Sequence, residues 1–299
     1  MPDPHASCRP PDPDTRTPGY KAPAGACDAH CHVFGPGDVF PYAPTRKYTP
    51  PDAPKEKLRA LHEKLGIDRA VIVQASCHGT DNSAMLDAIA SSKGRYLGIC
   101  NAAEDFSDEE YARLHDGGIR GVRFNFVKHL GGAPDLDKMW NIVRNVEDLP
   151  WQVELHFDAA DLLEYEHVID EIPLPVVIDH MGRVPVADGV GQAPFQALLE
   201  KFAESDHLWI KISGSERISA AGPPFTDAVP FAQALIEAAP DRVIWGTDWP
   251  HPNISKFMPN DGDLVDLIPA MIADEKTQKK VLVENPQRLF GFPTISDSE

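Results

Sequence analysis

Short apolar runs and amphipathic stretches alternate along the chain from about residue 25 onwards. Runs of four to eight residues rich in Val, Ile and other apolar side chains predict buried strands. Between them lie stretches such as KEKLRALHEKLG (55–66) and APFQALLEKFAESD (193–206), whose apolar residues recur every three or four positions and predict helices. The eight predicted strands are ACDAHCHV (26–33), RAVIVQAS (69–76), YLGICNAA (96–103), IRGVRFNF (119–126), WQVELHFD (151–158), PVVIDHMG (175–182), LWIKISGS (208–215) and RVIWGTD (242–248).

Eight strands, each followed by a helical stretch in one uninterrupted series, predict an α/β protein with a distorted (β/α)8 TIM barrel over residues 25–299. A doubly wound open sheet has the same alternation, but it would gather its polar site residues at one switch point. Here polar residues stand near the carboxyl ends of several predicted strands. This distribution favours the barrel, as a single domain.

The first 24 residues differ from the rest, because they are dense in proline and polar side chains. Such a segment cannot bury enough apolar surface to order itself. We therefore predict a flexible N-terminal tail over residues 1–24, ahead of the barrel.

The composition and charge of the chain exclude some classes of binding partner. The formal net charge is −18 and the pI is near 5.0, so the protein's field repels nucleic acid and anionic membranes. There is no run of eighteen apolar residues and no basic segment followed by an apolar one, so neither a membrane span nor a signal peptide is expected. Five cysteines without a paired framework fit reduced thiols. We expect a soluble cytoplasmic protein whose anionic ligands need a local cationic pocket.

The first predicted strand carries two histidines, His30 and His32, two positions apart. Because side chains alternate across a strand, both should lie on one face together with Asp28, while Cys27 and Cys31 should share the opposite face. Incidental histidines and a metal site at the two cysteines are the competing interpretations. Two imidazoles aimed at one point favour a functional site.

Further polar residues stand at the ends of later strands, and closure of a barrel brings the carboxyl ends of all strands to one mouth. We therefore expect these side chains to form one site. They are Ser76 and His78 after the second strand, Arg123 and Asn125 on the fourth, His156 on the fifth, Asp179 and His180 on the sixth, Arg217 after the seventh and Asp248 after the eighth.

This set of residues permits two chemistries. His30, His32, His180 and Asp248 can hold one divalent metal ion and leave a position for water, with His156 as an extra ligand. Alternatively, the imidazoles polarise a substrate carbonyl directly while Asp248 takes the proton from an attacking water molecule. Both arrangements lead to hydrolysis.

Two arginines in the same set, Arg123 and Arg217, suit an anionic substrate. The guanidinium fork pairs with two oxygens of a carboxylate or a sulfonate. The competing interpretation is that each arginine pairs with an acidic residue of this acidic chain.

Several motifs together resemble one branch of the amidohydrolase superfamily, the branch that contains 2-pyrone-4,6-dicarboxylate lactonase and 4-sulfomuconolactone hydrolase. They are DAHCHVFGP, VIVQASCHGTDN, GVRFNF, VVIDHMGR and VIWGTDWPHPN, and the resemblance runs from about residue 26 to residue 290. It implies a distorted (β/α)8 barrel and opening of an anionic, unsaturated lactone by water during bacterial breakdown of aromatic compounds.

The resemblance also implies roles for individual residues. Asp248 would be the general base for water, and His30, His32 and His180 would polarise the lactone carbonyl directly or through a metal ion. The resemblance leaves metal use open, because much of the superfamily uses zinc and the pyrone lactonases do not; we expect one zinc ion. The expected substrate-binding residues are Arg123, Arg217, Ser76, His78, Asn125, Lys128 and His129.

Two departures from the branch affect the expected substrate. The pyrone lactonase has a second arginine shortly after RFNF, where this chain has Lys128 and His129, and a tyrosine where this chain has His156. A sulfonated lactone, or one with fewer carboxylates, is therefore an alternative to the pyrone. A metal-dependent decarboxylase with the same residues and a non-catalytic lactone-binding protein are the rival functions, and product mass or absence of turnover would identify them.

Overall fold

The computed structural model describes residues 8–254 and 256–294. Its eight strands form one parallel sheet in sequence order, which confirms the predicted strands and their alternation with helices. The strands are β1 (Cys27–Cys31), β2 (Arg69–Val73), β3 (Tyr96–Cys100), β4 (Ile119–Asn125), β5 (Gln152–His156), β6 (Val176–Ile178), β7 (Leu208–Lys211) and β8 (Val243–Ile244).

The helices of the described residues surround the sheet, and the predicted amphipathic stretches are helical. None of these helices combines the length and apolar character needed to cross a membrane. They are α1 (Lys55–Leu65), α2 (Ser83–Ser91), α3 (Asp108–Asp116), α4 (Leu136–Val146), α5 (Leu162–Glu171), α6 (Ala193–Glu204), α7 (Ser215–Ile218), α8 (Val229–Ala238), α9 (Asp261–Asp266), α10 (Ile268–Met271), α11 (Glu275–Lys279) and α12 (Asn285–Phe290), with a π-helical turn at Lys280–Glu284.

The barrel closes between β1 and the segment that follows β8. The amide of Ala29 donates to the carbonyl of Trp245 (2.8 Å), and the amide of Asp248 donates to the carbonyl of His30 (2.7 Å). Gly246 permits this approach, because a Cβ there would lie 2.6 Å from the backbone nitrogen of His30. The architecture is a nearly closed (β/α)8 barrel, as predicted.

The barrel interior is apolar at the amino ends of the strands. Side chains from β1, β2, β3, β6, β7 and β8 meet there and are covered by Phe290 at the end of α12 and by Phe292 after it. A second, larger apolar cluster lies between the sheet and the helices. Above the apolar layer, towards the carboxyl ends of the strands, the interior side chains are charged or imidazole groups. The charged and imidazole side chains of the interior therefore lie on a layer of apolar side chains.

A β-bulge in β1 changes which of its side chains face the interior. From Asp28 to Cys31 the chain advances three positions while the paired residues of β2, Ala70 and Ile72, advance two. An extra residue in one strand interrupts the alternation of its side chains. Ala29 packs in the interior cluster, although it precedes His30 directly.

The expectation that Asp28 shares a face with His30 and His32 is therefore wrong. Asp28 points to the outer layer and contacts His62 of α1. The expectation for the cysteines is wrong for the same reason, because Cys27 packs inside the barrel and Cys31 packs against the outer cluster.

The N-terminal segment was expected to be a flexible tail. Residues 1–7 lie outside the described part of the chain. Over residues 8–24 no helix or strand is present, as the proline content predicts, but the segment is attached to the barrel. Asn260, at the start of α9, accepts a hydrogen bond from the amide of Arg16 (2.9 Å) and donates to the carbonyl of Asp14 (3.0 Å).

Candidate active site

A cavity of about 280 Å³ opens at the carboxyl ends of the strands. This is where barrel enzymes carry their sites. Most of the residues predicted from strand ends line it, so the topology brings them together as expected. The predicted residues that line the cavity are His32, Ser76, Arg123, Asn125, His156, His180, Arg217 and Asp248.

Asp248 lies at the centre of three imidazoles. Its Oδ1 is 3.2 Å from Nε2 of His32, 3.6 Å from Nε2 of His30 and 3.8 Å from Nε2 of His180. All four side chains are buried. Asp248 and His180 have backbone φ angles of 67° and 52°, a left-handed conformation that costs energy and concentrates at functional sites. The four residues predicted to carry the chemistry therefore form one compact group.

The Nδ1 atoms of His32 and His180 contact neighbouring polar groups. Nδ1 of His32 donates to the carbonyl of Val73 (2.7 Å), and Nδ1 of His180 lies 2.9 Å from Oγ of Ser213. Nε2 of His30 is buried and has no hydrogen-bond partner among the described residues. Partners on Nδ1 fix the ring orientations and leave the Nε2 atoms directed at Asp248.

Burial makes the imidazoles poor bases. Burial and the nearby charge of Lys211 lower the pKa of His30 to about 3. Burial also holds the pKa of His180 and His156 well below the usual value. At neutral pH these three rings are therefore uncharged, with a lone pair on one nitrogen of each.

The Asp248 carboxylate is charged at neutral pH. Burial alone would raise its pKa, but the guanidinium of Arg217, which bonds to Oδ2, holds it well below the usual range. The same guanidinium donates to the carbonyl of Pro252 (3.1 Å). Arg217 thus pairs with an acid of its own chain and also lines the cavity.

A buried charge network lies below the histidines, and two of its members, Lys211 and Glu154, were not identified from the sequence. Nζ of Lys211, on β7, is 2.6 Å from Glu154 and 3.2 Å from Asp179, and Arg123 donates to the other oxygen of Asp179 at 2.8 Å. Burial alone would raise the pKa of Asp179, but Lys211 and Arg123 hold it well below its usual range. Charged residues inside the apolar runs WQVELH and LWIKIS were the available signal.

His156 lies against His180, with the ring centroids 5.4 Å apart. Both of its ring nitrogens are buried without a hydrogen-bond partner in the described part of the chain. His156 therefore has free donor and acceptor capacity facing the cavity.

Two predicted substrate-binding residues lie away from the cavity. Nε2 of His78 accepts a hydrogen bond from the amide of Gly35 (3.2 Å), and its ring packs on Tyr42. Lys128 is 70% exposed and pairs with Asp161 at 2.7 Å. The side chain of His129 lies outside the described residues.

Two other cationic side chains lie in the wall of the cavity. Arg183 and Lys256 line the cavity, although the sequence analysis selected neither. Arg183 follows the sixth strand and pairs with Asp158 at 2.8 Å, so its place after a strand end was a usable signal. Lys256 lies in the long loop after β8, where no strand pattern marks it.

Behind Arg217 lies a second buried cluster. His251 lies 3.1 Å from Asp261 and 3.4 Å from Glu216. Burial by itself would lower the pKa of His251, but these two carboxylates raise it to about 10. His251 is therefore a buried cation that lies between the two acids.

The residues present fit a single metal ion. One nitrogen from each of His30 and His180 and one oxygen of Asp248 lie within 4.8 Å of one another. The Nε2 atom of His30 is a buried polar atom without a partner in the described structure. Imidazole nitrogens with a carboxylate are the ligand types of catalytic zinc. The site is thus a candidate metal centre at the base of a cationic cavity.

Comparison with known proteins shows similarity over nearly the whole chain. Residues 27–292 match the family described as Amidohydrolase. A 2-pyrone-4,6-dicarboxylate hydrolase from Comamonas testosteroni is 48% identical, with 91% of this chain and 92% of that protein covered. A 4-sulfomuconolactone hydrolase from Rhizobium radiobacter is 46% identical, with 91% and 92% covered. A solved structure of a probable 2-pyrone-4,6-dicarboxylic acid hydrolase from Acinetobacter baumannii, with citric acid bound, is 31% identical, with a TM-score of 0.79 and 90% and 100% covered.

Proposed function

Because the chain belongs to the amidohydrolase family, we propose that it is a lactone hydrolase. Its substrate is a small, anionic, unsaturated lactone of the kind formed when aromatic compounds are broken down. The reaction adds one water molecule, breaks the bond between the ring carbonyl carbon and the ring oxygen, and gives a hydroxyl group and a carboxylic acid, which releases its proton to solvent. The cytoplasm is the compartment we propose, because the five cysteines are free thiols.

The observation that carries this proposal is the placing of Asp248 among three imidazoles at the base of the cavity. A lactone carbonyl that reaches this base lies beside the imidazoles of His32 and His180 and the ionised carboxylate of Asp248. Hydrolysis needs both groups, since charge develops on the carbonyl oxygen while a proton leaves the attacking water molecule.

Asp248 is the group that accepts the proton from water. Its low pKa keeps it ionised across the physiological range, so no activity is lost to protonation of the base. The bond from Arg217 to Oδ2 leaves Oδ1 as the oxygen that faces the imidazoles. The proton taken up by Oδ1 then passes to the ring oxygen as that oxygen leaves.

We propose one zinc ion as the cofactor, held by His30, His32, His180 and Asp248. Nδ1 of His32 donates to a carbonyl oxygen, so Nε2 is the ring nitrogen of His32 that faces Oδ1 of Asp248, at 3.2 Å. Nε2 of His30 faces the same oxygen and is buried without a hydrogen-bond partner among the described residues, so both atoms are available as metal ligands. Zinc supplies Lewis acidity to a carbonyl oxygen and to water when it is bound. His156 is available as a further nitrogen ligand.

The charge of the cavity wall supports an anionic substrate. Within the described residues, four cationic side chains and two carboxylates line the cavity, in a chain whose net charge is −18. The cations are Arg123, Arg183, Arg217 and Lys256. A local excess of positive charge in an acidic protein favours an anionic ligand. Carboxylate and sulfonate oxygens both suit the guanidinium fork.

The deciding experiment is hydrolysis of 2-pyrone-4,6-dicarboxylate and of 4-sulfomuconolactone by chelator-treated protein and by the same protein with zinc restored. We expect turnover of at least one lactone, with a product one water heavier, and restoration of activity by zinc. Loss of carbon dioxide instead would identify a decarboxylase, and binding without turnover would identify a non-catalytic protein. Full activity of the metal-free protein would refute the zinc proposal and leave the imidazoles as direct polarising groups.

A further inference from the structure

Asp28 is a buried carboxylate with a full set of hydrogen bonds. Its Oδ1 accepts from the amides of Thr247 (2.9 Å) and His30 (3.1 Å). Its Oδ2 accepts from the hydroxyl of Thr247 (2.5 Å) and from Nε2 of His62 (3.2 Å). A carboxylate oxygen only accepts, so Asp28 holds donors on its own strand, on α1 and on the segment after β8.

Asp28 lies on the outer side of β1 and does not line the cavity. It therefore touches neither substrate nor the Asp248 carboxylate. On its outer side it is anchored by His62 of α1, whose other ring nitrogen lies 3.0 Å from the hydroxyl of Tyr96 on β3. Asp28 is thus fixed to two neighbouring elements independently of the loop after β8.

Through Thr247, Asp28 holds the backbone on both sides of Asp248. The Thr247 hydroxyl donates to Asp28 and accepts a hydrogen bond from the amide of Trp249 at 3.0 Å. The amide of Asp248 itself donates to the carbonyl of His30 at 2.7 Å. Asp248 has a φ of 67°, a conformation that persists only where neighbouring contacts impose it.

We infer that Asp28 is a positioning residue that acts through Thr247 to set the distance between the Asp248 carboxylate and the imidazoles of β1. The β-bulge in β1 makes this possible. It turns Asp28 outward towards Thr247 and leaves His30 and His32 facing inward, so one short segment supplies both the imidazoles and the support of the opposing carboxylate.

The test distinguishes positioning of Asp248 from a general stabilisation of the fold. Its kinetic part rests on the proposed lactone hydrolysis. Thr247→Val keeps the side-chain shape and removes the hydroxyl, whereas Thr247→Ser keeps it. Ser92→Ala is the control, because the buried Ser92 hydroxyl also joins two backbone groups, the carbonyl of Ile89 (2.7 Å) and the amide of Tyr96 (3.0 Å), away from the cavity.

We expect Thr247→Val to lower kcat by about 10- to 100-fold, the scale of a misplaced catalytic group, with little change in KM. Thr247→Ser should keep kcat, and Ser92→Ala should lower the melting temperature without lowering kcat. Equal kcat values for Thr247→Val and Ser92→Ala would overturn the inference, as would an equal loss in Thr247→Ser.

A crystal structure of Thr247→Val tests the same inference without a measurement of turnover. We expect Oδ1 of Asp248 to move from its position 3.2 Å from Nε2 of His32. An unmoved carboxylate would refute the positioning role. If the wild-type protein hydrolyses neither lactone, the proposed function fails, and this structure alone decides the role of Asp28.

Discussion

Nζ of Lys211 lies 3.1 Å from Nδ1 of His30, inside the barrel and away from solvent. Oδ1 of Asp179 lies 3.2 Å from the same nitrogen. The ammonium can only donate and the carboxylate can only accept, so the two groups favour opposite tautomers of one imidazole. When Asp179 receives the Nδ1 hydrogen, Nε2 carries the lone pair that a metal ion needs. When Lys211 donates to Nδ1, Nε2 carries a hydrogen directed at Asp248.

The protonation of two buried histidines should differ in a way that nuclear magnetic resonance can measure. In metal-free protein at pH 8, His30 should be neutral, since its pKa is about 3, and His251 should be protonated, since its pKa is about 10. The imidazole nitrogen shifts report this directly. A neutral His251 at pH 8 would contradict the ion pairs with Glu216 and Asp261.

The raised pKa of His251 also predicts a pH dependence of stability. The unfolded value is about 6.5, so the folded protein holds a proton that the unfolded chain releases between about pH 6.5 and pH 10. The stabilisation is therefore complete below about pH 6.5 and is lost as the pH rises towards 10. Urea unfolding of wild type and His251→Gln from pH 6 to pH 9 should give a difference that shrinks with pH. A constant difference would contradict the prediction.

Replacing the proposed base should stop catalysis without stopping binding. Asp248→Asn cannot accept a proton, so kcat should fall by about 10²- to 10⁴-fold, the usual contribution of general base catalysis. The dissociation constant of the ring-opened product, measured by calorimetry, should change much less. Retention of kcat within about tenfold would remove Asp248 from this role.

The cationic wall predicts which lysine recognises substrate. Lys256 lines the cavity, whereas Lys128 is exposed and paired with Asp161. Lys256→Met should raise KM by about tenfold or more, because a charge-assisted contact contributes about 1.5–3 kcal/mol. Lys128→Met is the matched control and should leave KM unchanged. A larger increase of KM in Lys128→Met than in Lys256→Met would instead identify Lys128 as the lysine that binds substrate.

The N-terminal segment should influence KM through the loop after β8. Asn253 and Lys256 of this loop line the cavity, and they contact Cys8 and Arg9. Asn260→Asp keeps the oxygen that accepts from Arg16 and removes the donor to Asp12 and Asp14. We expect KM to rise by about tenfold, equivalent to about 1.4 kcal/mol, with kcat retained.

The control for this variant is Asn141→Asp, the same chemical change on α4. It should leave KM unchanged, since Asn141 contacts Arg144 on its own helix. An unchanged KM in Asn260→Asp would show that the segment does not support the loop. Removal of residues 1–24 should then also leave KM unchanged, in addition to leaving the barrel folded.

The sequence by itself determined the barrel and the main residues at its mouth. Strand and helix periods are local properties, and parallel strands that alternate with helices place their carboxyl ends on one side. His30, His32, His180 and Asp248 could therefore be brought together from their positions alone. The cationic residues Arg123 and Arg217 followed from the same reasoning.

The tertiary structure decided the direction of individual side chains and their contact partners, because these depend on strand register and on residues far along the chain. One extra residue in β1 reversed the side of Asp28, because alternation in a strand is sensitive to a shift of one position. His78 and Lys128 found partners in neighbouring loops, while Lys256 reached the cavity through a loop with no periodic pattern. Local pattern fixes where a strand ends, but the direction of a side chain and its partners are fixed only when distant segments pack together.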